Sequence, residues 1–530
     1  MERVSATSAH PPAMRGAAAG FVAGAVGLGI SELLAGLVPG VPSLVTAMGS
    51  LVIALQPPGA KALVTGLFGT ADKTALNVAV VVVALALAVL AGVAGARSFA
   101  NGWRILTVVG FVACLAAVVQ PLVSPVPAVV NAVIATAAAV GTLRFLLVGA
   151  AALPIPGRVA AGRAAPGAGA AVMPDWDRRT FLLRSGALLG GAVVAGGLGR
   201  LLVQRAHPAA PPVAVRLPAP AGPPPALPPG SSLDAPGITP LVTPNGRFYR
   251  IDTELLVPQV DAATWQLRVD GMVDHPLTFT YDELIGLPLF DQYVTLECVS
   301  NVVGGDLIGN ALWTGVHLKA ILAEAGIRPG ATQIVGRAVD GFTVGFPTSW
   351  ALDPSREPMI VVGMNGSPLP AEHGFPARLI VPGLYGYVSA TKWLSEIWLT
   401  TMEAFNAYWV NLGWAKEGPI LTGSRIDHPA DGSSLAAGPQ VIDGLAWAPD
   451  RGVSRVEVQI DGGPWQAAEL ARAISRATWV QWELRWAATA GSHSIRVRAV
   501  DGTGQVQTGT PGGPAPAGAT GYDEVRVTVR

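Results

Sequence analysis

A lone cysteine, Cys298, sits in the stretch YVTLECVSNVVGGDLIGNALWTG, residues 293–315, and the 530-residue chain holds only one other, Cys114. Three chemistries are open to such a thiol. Buried, it is a small hydrophobe. As a nucleophile it needs a base such as histidine beside it, and no local signature supplies one. As a metal ligand it is a thiolate, protected from oxidation by the bond it makes. The surroundings favour the third reading. YVTLEC reads as an apolar strand that ends on the cysteine, and small residues follow. Gly304, Gly305 and Gly309 give backbone freedom and clearance for a bulky ligand. One thiolate is too few for zinc or an iron–sulfur cluster, and the chain has no CxxCH haem attachment sequence. The metal must bring most of its own ligands.

The elements that position this cysteine divide the chain in two. Overall it is 51% hydrophobic and only 13% charged, with a mean hydropathy of +0.46, against about a quarter charged in soluble domains. The deficit is concentrated at the N-terminal end, where residues 1–150 carry ten charged side chains. A membrane-spanning helix needs roughly 20 apolar residues. Stretches at about 17–38, 75–96, 103–123, 127–148 and 181–203 meet that length. The segment 43–69 is apolar but broken by Pro57, Pro58 and Gly59, and reads as re-entrant or interfacial. Arginines flank one loop (Arg97, Arg104) and fill another (Arg158, Arg163, Arg178, Arg179). Placing these loops inside predicts an inside N-terminus, five spans and an extracytoplasmic C-terminal half. That gives a multi-pass protein of the cytoplasmic membrane. Residues 1–205 are thus expected to form an α-helical transmembrane bundle.

The fifth span opens with DRRTFLL, and Arg178–Arg179 followed by Thr180 and Phe181 resembles an internal twin-arginine export signal. That route carries folded, cofactor-loaded domains. The bland alternative is a pair of arginines anchoring a helix end. Residues 206–240 are proline-rich and predict a semi-rigid polyproline spacer.

Residues 241–412 alternate short apolar strands with helical segments, the pattern of a mixed α/β domain. Thr280 is expected to cap a short helix over YDELI, and Thr314 to cap a helix running to Gly326. Residues 413–530 alternate with period two between Gly/Asp turns, which predicts an immunoglobulin-like β-sandwich. Its reading as a docking or homodimerisation module competes with a structural appendage. Cys114 falls in a span and Cys298 outside it, so no intramolecular disulfide is expected.

With these residues placed, a resemblance becomes specific. TLECVSNVVGGDLIGNALWTGVHLKAIL, MNGSPLPAEHGFPARLIVPGLYGYVSATKWLSEI and the closing β region resemble the sulfite oxidase family of molybdopterin oxidoreductases. The resemblance covers nearly all of 241–530. In that family one cysteine thiolate ligates molybdenum, with pterin dithiolene and oxo groups filling the other positions, and Cys298 is the matching residue. The resemblance implies a molybdenum–molybdopterin cofactor. Asn245, Phe248 and Tyr249, in TPNGRFYRID, match a segment that lines the cofactor in the methionine sulfoxide reductase branch. His373 and Arg378, in HGFPAR, match the pterin-contacting segment. The loop Tyr385 to Lys392, with Ser389, Thr391 and Lys392, matches the one that closes over the pterin phosphate. Guanidinium, ammonium and backbone N–H donors suit that dianion.

The departures bear on substrate. Sulfite oxidases follow the cysteine and its asparagine with arginines that help bind sulfite, whereas here Asn301 is followed by Val302, Val303 and Gly304. The expected function is oxygen-atom transfer on a small, possibly sulfur-containing substrate, with electrons exchanged through an external cytochrome or the quinone pool. The alternatives are a sulfoxide or N-oxide reductase of the same fold, and a cofactor-free docking protein. A transporter has little support, because the spans hold almost no ionisable residue beyond Glu32. All seven histidines fall outside the spans, so no haem is expected there. Zero net charge without a basic run gives nucleic-acid binding no electrostatic support.

Overall fold

The computed structural model describes residues 12–57, 72–148, 178–206 and 215–530. Arg158, Arg163, His10, His207 and residues 58–69 of the broken apolar segment lie outside the described residues. The chain forms two compact units. The first holds the N-terminal helices and the second holds residues 215–253 and 257–530.

In the first unit, α1 (Pro12–Leu37), α2 (Leu44–Ala54), α3 (Asp72–Arg97), α4 (Phe99–Val118), α5 (Pro125–Val148) and α6 (Arg178–Ala206) pack together. Five of them are long and apolar enough to cross a membrane, and α2, with 11 residues, is not. These spans agree with the sequence reading to within a few residues, and they are consistent with membrane association. Small residues set the packing, because among apolar helices close backbone approach replaces the hydrophobic effect. A Cβ on Gly20 of α1 would stand 2.1 Å from the Ala88 carbonyl oxygen of α3. The one intramembrane acid, Glu32, accepts from the Ser43 hydroxyl at 2.5 Å and lies 3.9 Å from Arg200.

The second unit begins with residues 215–241, which carry no regular secondary structure. They are nevertheless pinned to the unit rather than free of it. Ala221 N–H donates to the Leu289 carbonyl, Leu233 N–H to Gln481, and Thr239 N–H to Asp427. The expected spacer is therefore, in its described part, a strap. Proline removes donors from such a segment, and side chains of the folded unit supply the remaining partners.

Strands β1 (Gln266–Gly271), β2 (Leu277–Thr280), β3 (Phe290–Glu297), β4 (Ile308–His317), β5 (Gln333–Ala338), β6 (Thr343–Pro347), β7 (Met359–Met364), β8 (Ser367–Pro368), β9 (Arg378–Ile380) and β10 (Leu394–Thr400) follow. They form two sheets, ordered β2-β1-β10-β5-β6 and β3-β4-β7-β8, with β9 on β7. Thr280 closes a full capping box with Glu283 on the helix Tyr281–Ile285, as its sequence implies. Thr314 does not cap the next helix. It pairs with Gly363 inside β4, and its hydroxyl donates to Asp291. Pairing with β7 extends the strand through His317, so the helix starts at Leu318. Gly326 does end that helix, at φ +69°.

The C-terminal strands are β11 (Gly423–His428), β12 (Ser434–Leu435), β13 (Gly438–Trp447), β14 (Val453–Ile460), β15 (Gln466–Ala467), β16 (Glu469–Leu470), β17 (Val480–Ala488), β18 (Gly491–Asp501) and β19 (Asp523–Val529). They make sheets β11-β13-β17-β16 and β12-β19-β18-β14-β15. Ile442, Trp482, Val456, Ile495 and Val525 fill one core between them. The alternation along β13 sends Leu445 and Trp447 the other way, into the core of the α/β region. This two-faced strand brings C-terminal side chains up to the loop that carries Cys298.

Candidate molybdopterin site

Strand β3 ends at Glu297, and the chain turns at once, with Asn301 N–H donating to the Cys298 carbonyl. The Asn301 side chain fixes the turn at both ends. Its amide donates to Glu297 Oε1 at 2.9 Å, and its oxygen accepts from Leu307 N–H at 3.0 Å. Glu297 Oε2 accepts from Trp447 Nε1 at 3.0 Å. Burial pushes this carboxyl up to about 8 against the two hydrogen bonds. Cys298, held between these anchors, is 9% exposed.

Cys298 opens onto a cavity of about 80 Å³. Phe248, Tyr249, His373, Arg378 and Lys392 share its wall, so the structure brings together six of the nine residues singled out from sequence. His373 Nε2 lies 2.9 Å from the Asn245 carbonyl oxygen, which can only accept, so Nε2 carries the proton. Burial lowers the histidine to about 4, helped by the cations Arg378, Lys392 and Arg250, and leaves a neutral ring with Nδ1 as acceptor. Lys392 is ion-paired with Asp252 at 2.6 Å, which also holds Arg250. The Tyr249 phenol is raised well above its ordinary value by burial first and by Cys298 second.

Arg378 differs from the other cations. It is 5% exposed, its Nη1 donates to the His373 carbonyl at 3.1 Å, and no carboxylate pairs with it among the described residues. Its Nε has no partner. Burial brings the guanidinium down to about 10. A buried guanidinium with an orphaned donor on a cavity wall is the mark of a missing anionic or strongly accepting ligand. A pterin phosphate meets that need, and the single Cys298 thiolate suits a metal that arrives with its own dithiolene. The residues fit the group.

Three sequence-derived residues do not reach the cavity wall. Asn245 acts through its backbone, holding His373, while its side chain meets Asn365 and the Met364 carbonyl. The Ser389 hydroxyl donates back to the Leu384 and Tyr385 carbonyls. Thr391 points at Gly336, where a Cβ would stand 2.4 Å from its hydroxyl oxygen. Of the two residues competing for the lysine position, Lys392 is on the wall. The glycines of the cysteine loop also differ from expectation, because protein fills the clearance they create. Gly309 faces the Phe248 ring, at 2.7 Å from a notional Cβ, and Gly304 faces Asp523.

Sequence reasoning missed an aromatic end of the cavity, Tyr387, Trp409 and Trp414. The Trp409 and Trp414 rings touch edge to face at 6.3 Å and form a wall. It also missed a second cavity of about 330 Å³ on the other side of the loop. Glu297, Asn301, Val302, Val303 and Gly304 line that one, with Trp447 and Arg451 from the C-terminal strands. The loop 297–304 is thus a partition, with Cys298 on one face and its neighbours on the other.

Residues 254–409 match the family described as oxidoreductase molybdopterin binding domain. Mitochondrial sulfite oxidase from Homo sapiens is 30% identical over 317 residues, covering 51% of this chain and 58% of that one. The chain belongs to the sulfite oxidase family of molybdopterin oxidoreductases. Nitrate reductase [NADH] 1 from Oryza sativa subsp. japonica is 33% identical over 193 residues, covering 32% of this chain and 21% of its own. Among solved structures, the sulfane dehydrogenase SoxCD from Paracoccus pantotrophus shares 25% identity at a TM-score of 0.45, over 51% of this chain and 75% of that chain. This family member spans 58% of the length of the mitochondrial enzymes it matches.

Proposed function

We propose that this chain is a membrane-tethered, extracytoplasmic oxidoreductase that transfers an oxygen atom to or from a small substrate. Cys298 holds molybdenum, and Arg378, Lys392 and His373 hold the pterin and its phosphate. The bound cofactor supplies the two-electron oxygen chemistry. The observation that carries this reading is the buried, unpartnered Arg378 Nε on the same wall as the Cys298 thiol.

The protein's own part is positioning. Cys298 is locked by Asn301 and by the Glu297–Trp447 hydrogen bond, so the thiolate is presented from a fixed strand end. Neutral His373 offers an acceptor, and Arg378 and Lys392 offer donors, so the two ends of the pterin are told apart. The aromatic wall of Trp409 and Trp414 keeps that end of the cavity dry. In the oxidative direction the substrate gains oxygen from water and releases two protons and two electrons, which an external cytochrome or the quinone pool accepts. The five apolar helices and the arginine pair that opens α6 support a tether delivered by the twin-arginine route, with residues 413–530 as an immunoglobulin-like dimerisation module.

Elemental analysis tests the reading. Purified protein should carry about one molybdenum per chain, and Cys298→Ser, which removes the sole protein ligand, should lose most of it. Protein made in a cofactor-competent host and found free of molybdenum refutes the assignment.

A further inference from the structure

The second cavity has a wall unlike that of an oxyanion site. Its only cation among the described residues is Arg451. Arg451 Nε is ion-paired with Asp501 at 2.9 Å, and its Nη2 donates to the Ile420 carbonyl and to Thr422. Asp501 is fully buried, so this pairing is unscreened. The remaining ionisable group on the wall is the acid Glu297. Whatever its protonation, the wall carries no net positive charge. The amides are committed as well. Asn301 is used at both ends, and Gln507 accepts from Ser424 and Ala499 N–H while donating to the Gly521 carbonyl. A divalent oxyanion placed here would lose its hydration and gain no uncompensated donor.

What the wall offers instead is apolar. Val302 and Val506, at its mouth, are 54% and 42% exposed, although exposed large hydrophobic side chains are few in this unit. Val303 and Leu421 continue the surface inward. A volume of about 330 Å³ falls at the small end of organic ligand pockets.

We propose that this cavity admits an uncharged organic substrate, of the sulfoxide or thioether class, and discriminates against inorganic oxyanions. The proposal rests on the oxygen-transfer reading above and narrows it. The balanced reaction is a sulfoxide plus two electrons and two protons giving a thioether and water, or its reverse. The electrons come from or go to the external carrier already named. Val302, Val303 and Val506 determine specificity by covering the organic substituent.

Calorimetric titration of the full-length protein in detergent tests this, with methyl phenyl sulfoxide and sodium sulfate as probes and molybdenum content measured on the same sample. The wild-type protein should bind the sulfoxide with an affinity that does not change between low and high salt, and should show no sulfate binding. Val302→Ser combined with Val506→Ser, both exposed positions, should weaken the sulfoxide about tenfold. Val303→Arg should introduce sulfate binding that fades with salt. Salt-sensitive sulfate binding by the wild type, or sulfoxide binding indifferent to the double substitution, overturns the proposal. The two readings fail separately. Sulfoxide binding in metal-free protein keeps the cavity assignment and removes the catalytic one, whereas a full molybdenum load with sulfate preferred does the opposite.

Discussion

Asp443 gives a pH dependence whose sign follows from the structure. It lies in β13, on the strand that carries Trp447 to Glu297, and it is fully buried. Neither of its carboxylate oxygens has a hydrogen-bond partner. Its register neighbour across the sheet is Glu483. Burial, then the like charges of Asp427 and Glu483, push it up from 3.8 to about 7. The unfolded chain gives up this proton near pH 4 and the folded chain near pH 7. The stability tied to the protonated form is therefore fully present below pH 4 and is lost as pH rises through 7. At 1.36 kcal/mol per unit, that shift is worth about 3 to 4 kcal/mol. Asp443→Asn keeps the shape and removes the charge. Calorimetric melting should show a Tm gain of about 6 °C at pH 8 and almost none at pH 4, taking about 2 °C per kcal/mol for a unit of this size. Equal melting at pH 8, or a gain larger at pH 4, would refute the assignment of a protonated, unpartnered acid inside this sheet.

Other consequences follow from single contacts. Gly309→Ala places a methyl group 2.7 Å from the Phe248 ring; it should cost about 1–3 kcal/mol by overpacking and lower molybdenum retention, read by melting and metal analysis. Trp447→Phe removes the donor to buried Glu297 and should destabilise by about 1–3 kcal/mol, measured by the same melts at pH 8. Gly20→Leu cannot keep the contact with α3, where even a Cβ meets the Ala88 oxygen at 2.1 Å; gel filtration in detergent should show aggregated protein. Arg378→Lys keeps charge but lacks the fork of donors, so it should lose cofactor more than it loses stability, which metal content against Tm will separate.

How much of this was legible in the sequence depends on how local each signal is. The spans were legible because twenty apolar residues in a row announce themselves without partners. So was the Thr280 box, which is complete within four residues. Thr314 misled because the same TGVH can cap a helix or extend a strand, and pairing with β7, some 50 residues away, decided it. Cys298 could be singled out because a thiol is rare in this chain, and His373, Arg378 and Lys392 because they sit in motifs. Ser389 and Thr391 belong to the same motif, yet they face inward, since alternate residues of a tight turn cannot all look at one ligand. Trp447 and Arg451 carried no signal at all. They lie in an ordinary alternating strand and its turn, and they matter only because β13 shows one face to its own core and the other to the cysteine loop.

That two-faced strand also makes sense of the valines. In the sequence, Val302 and Val303 read only as arginines that were absent. In the fold they are one wall of a cavity whose opposite wall, Arg451 with Asp501, comes from the C-terminal strands. An arginine at 303 would face a guanidinium already balanced by a buried aspartate, giving the cavity a net positive charge it now lacks. The substrate preference is therefore a joint property of two segments about 150 residues apart, and altering charge on either side should move it. Removing Asp501 frees Arg451 and should raise sulfate affinity, while removing Arg451 leaves a buried carboxylate unpaired and should instead destabilise the fold by about 3–5 kcal/mol. The asymmetry between those two results, read by titration in one case and melting in the other, separates a cavity that lacks free positive charge from one that merely lacks arginines.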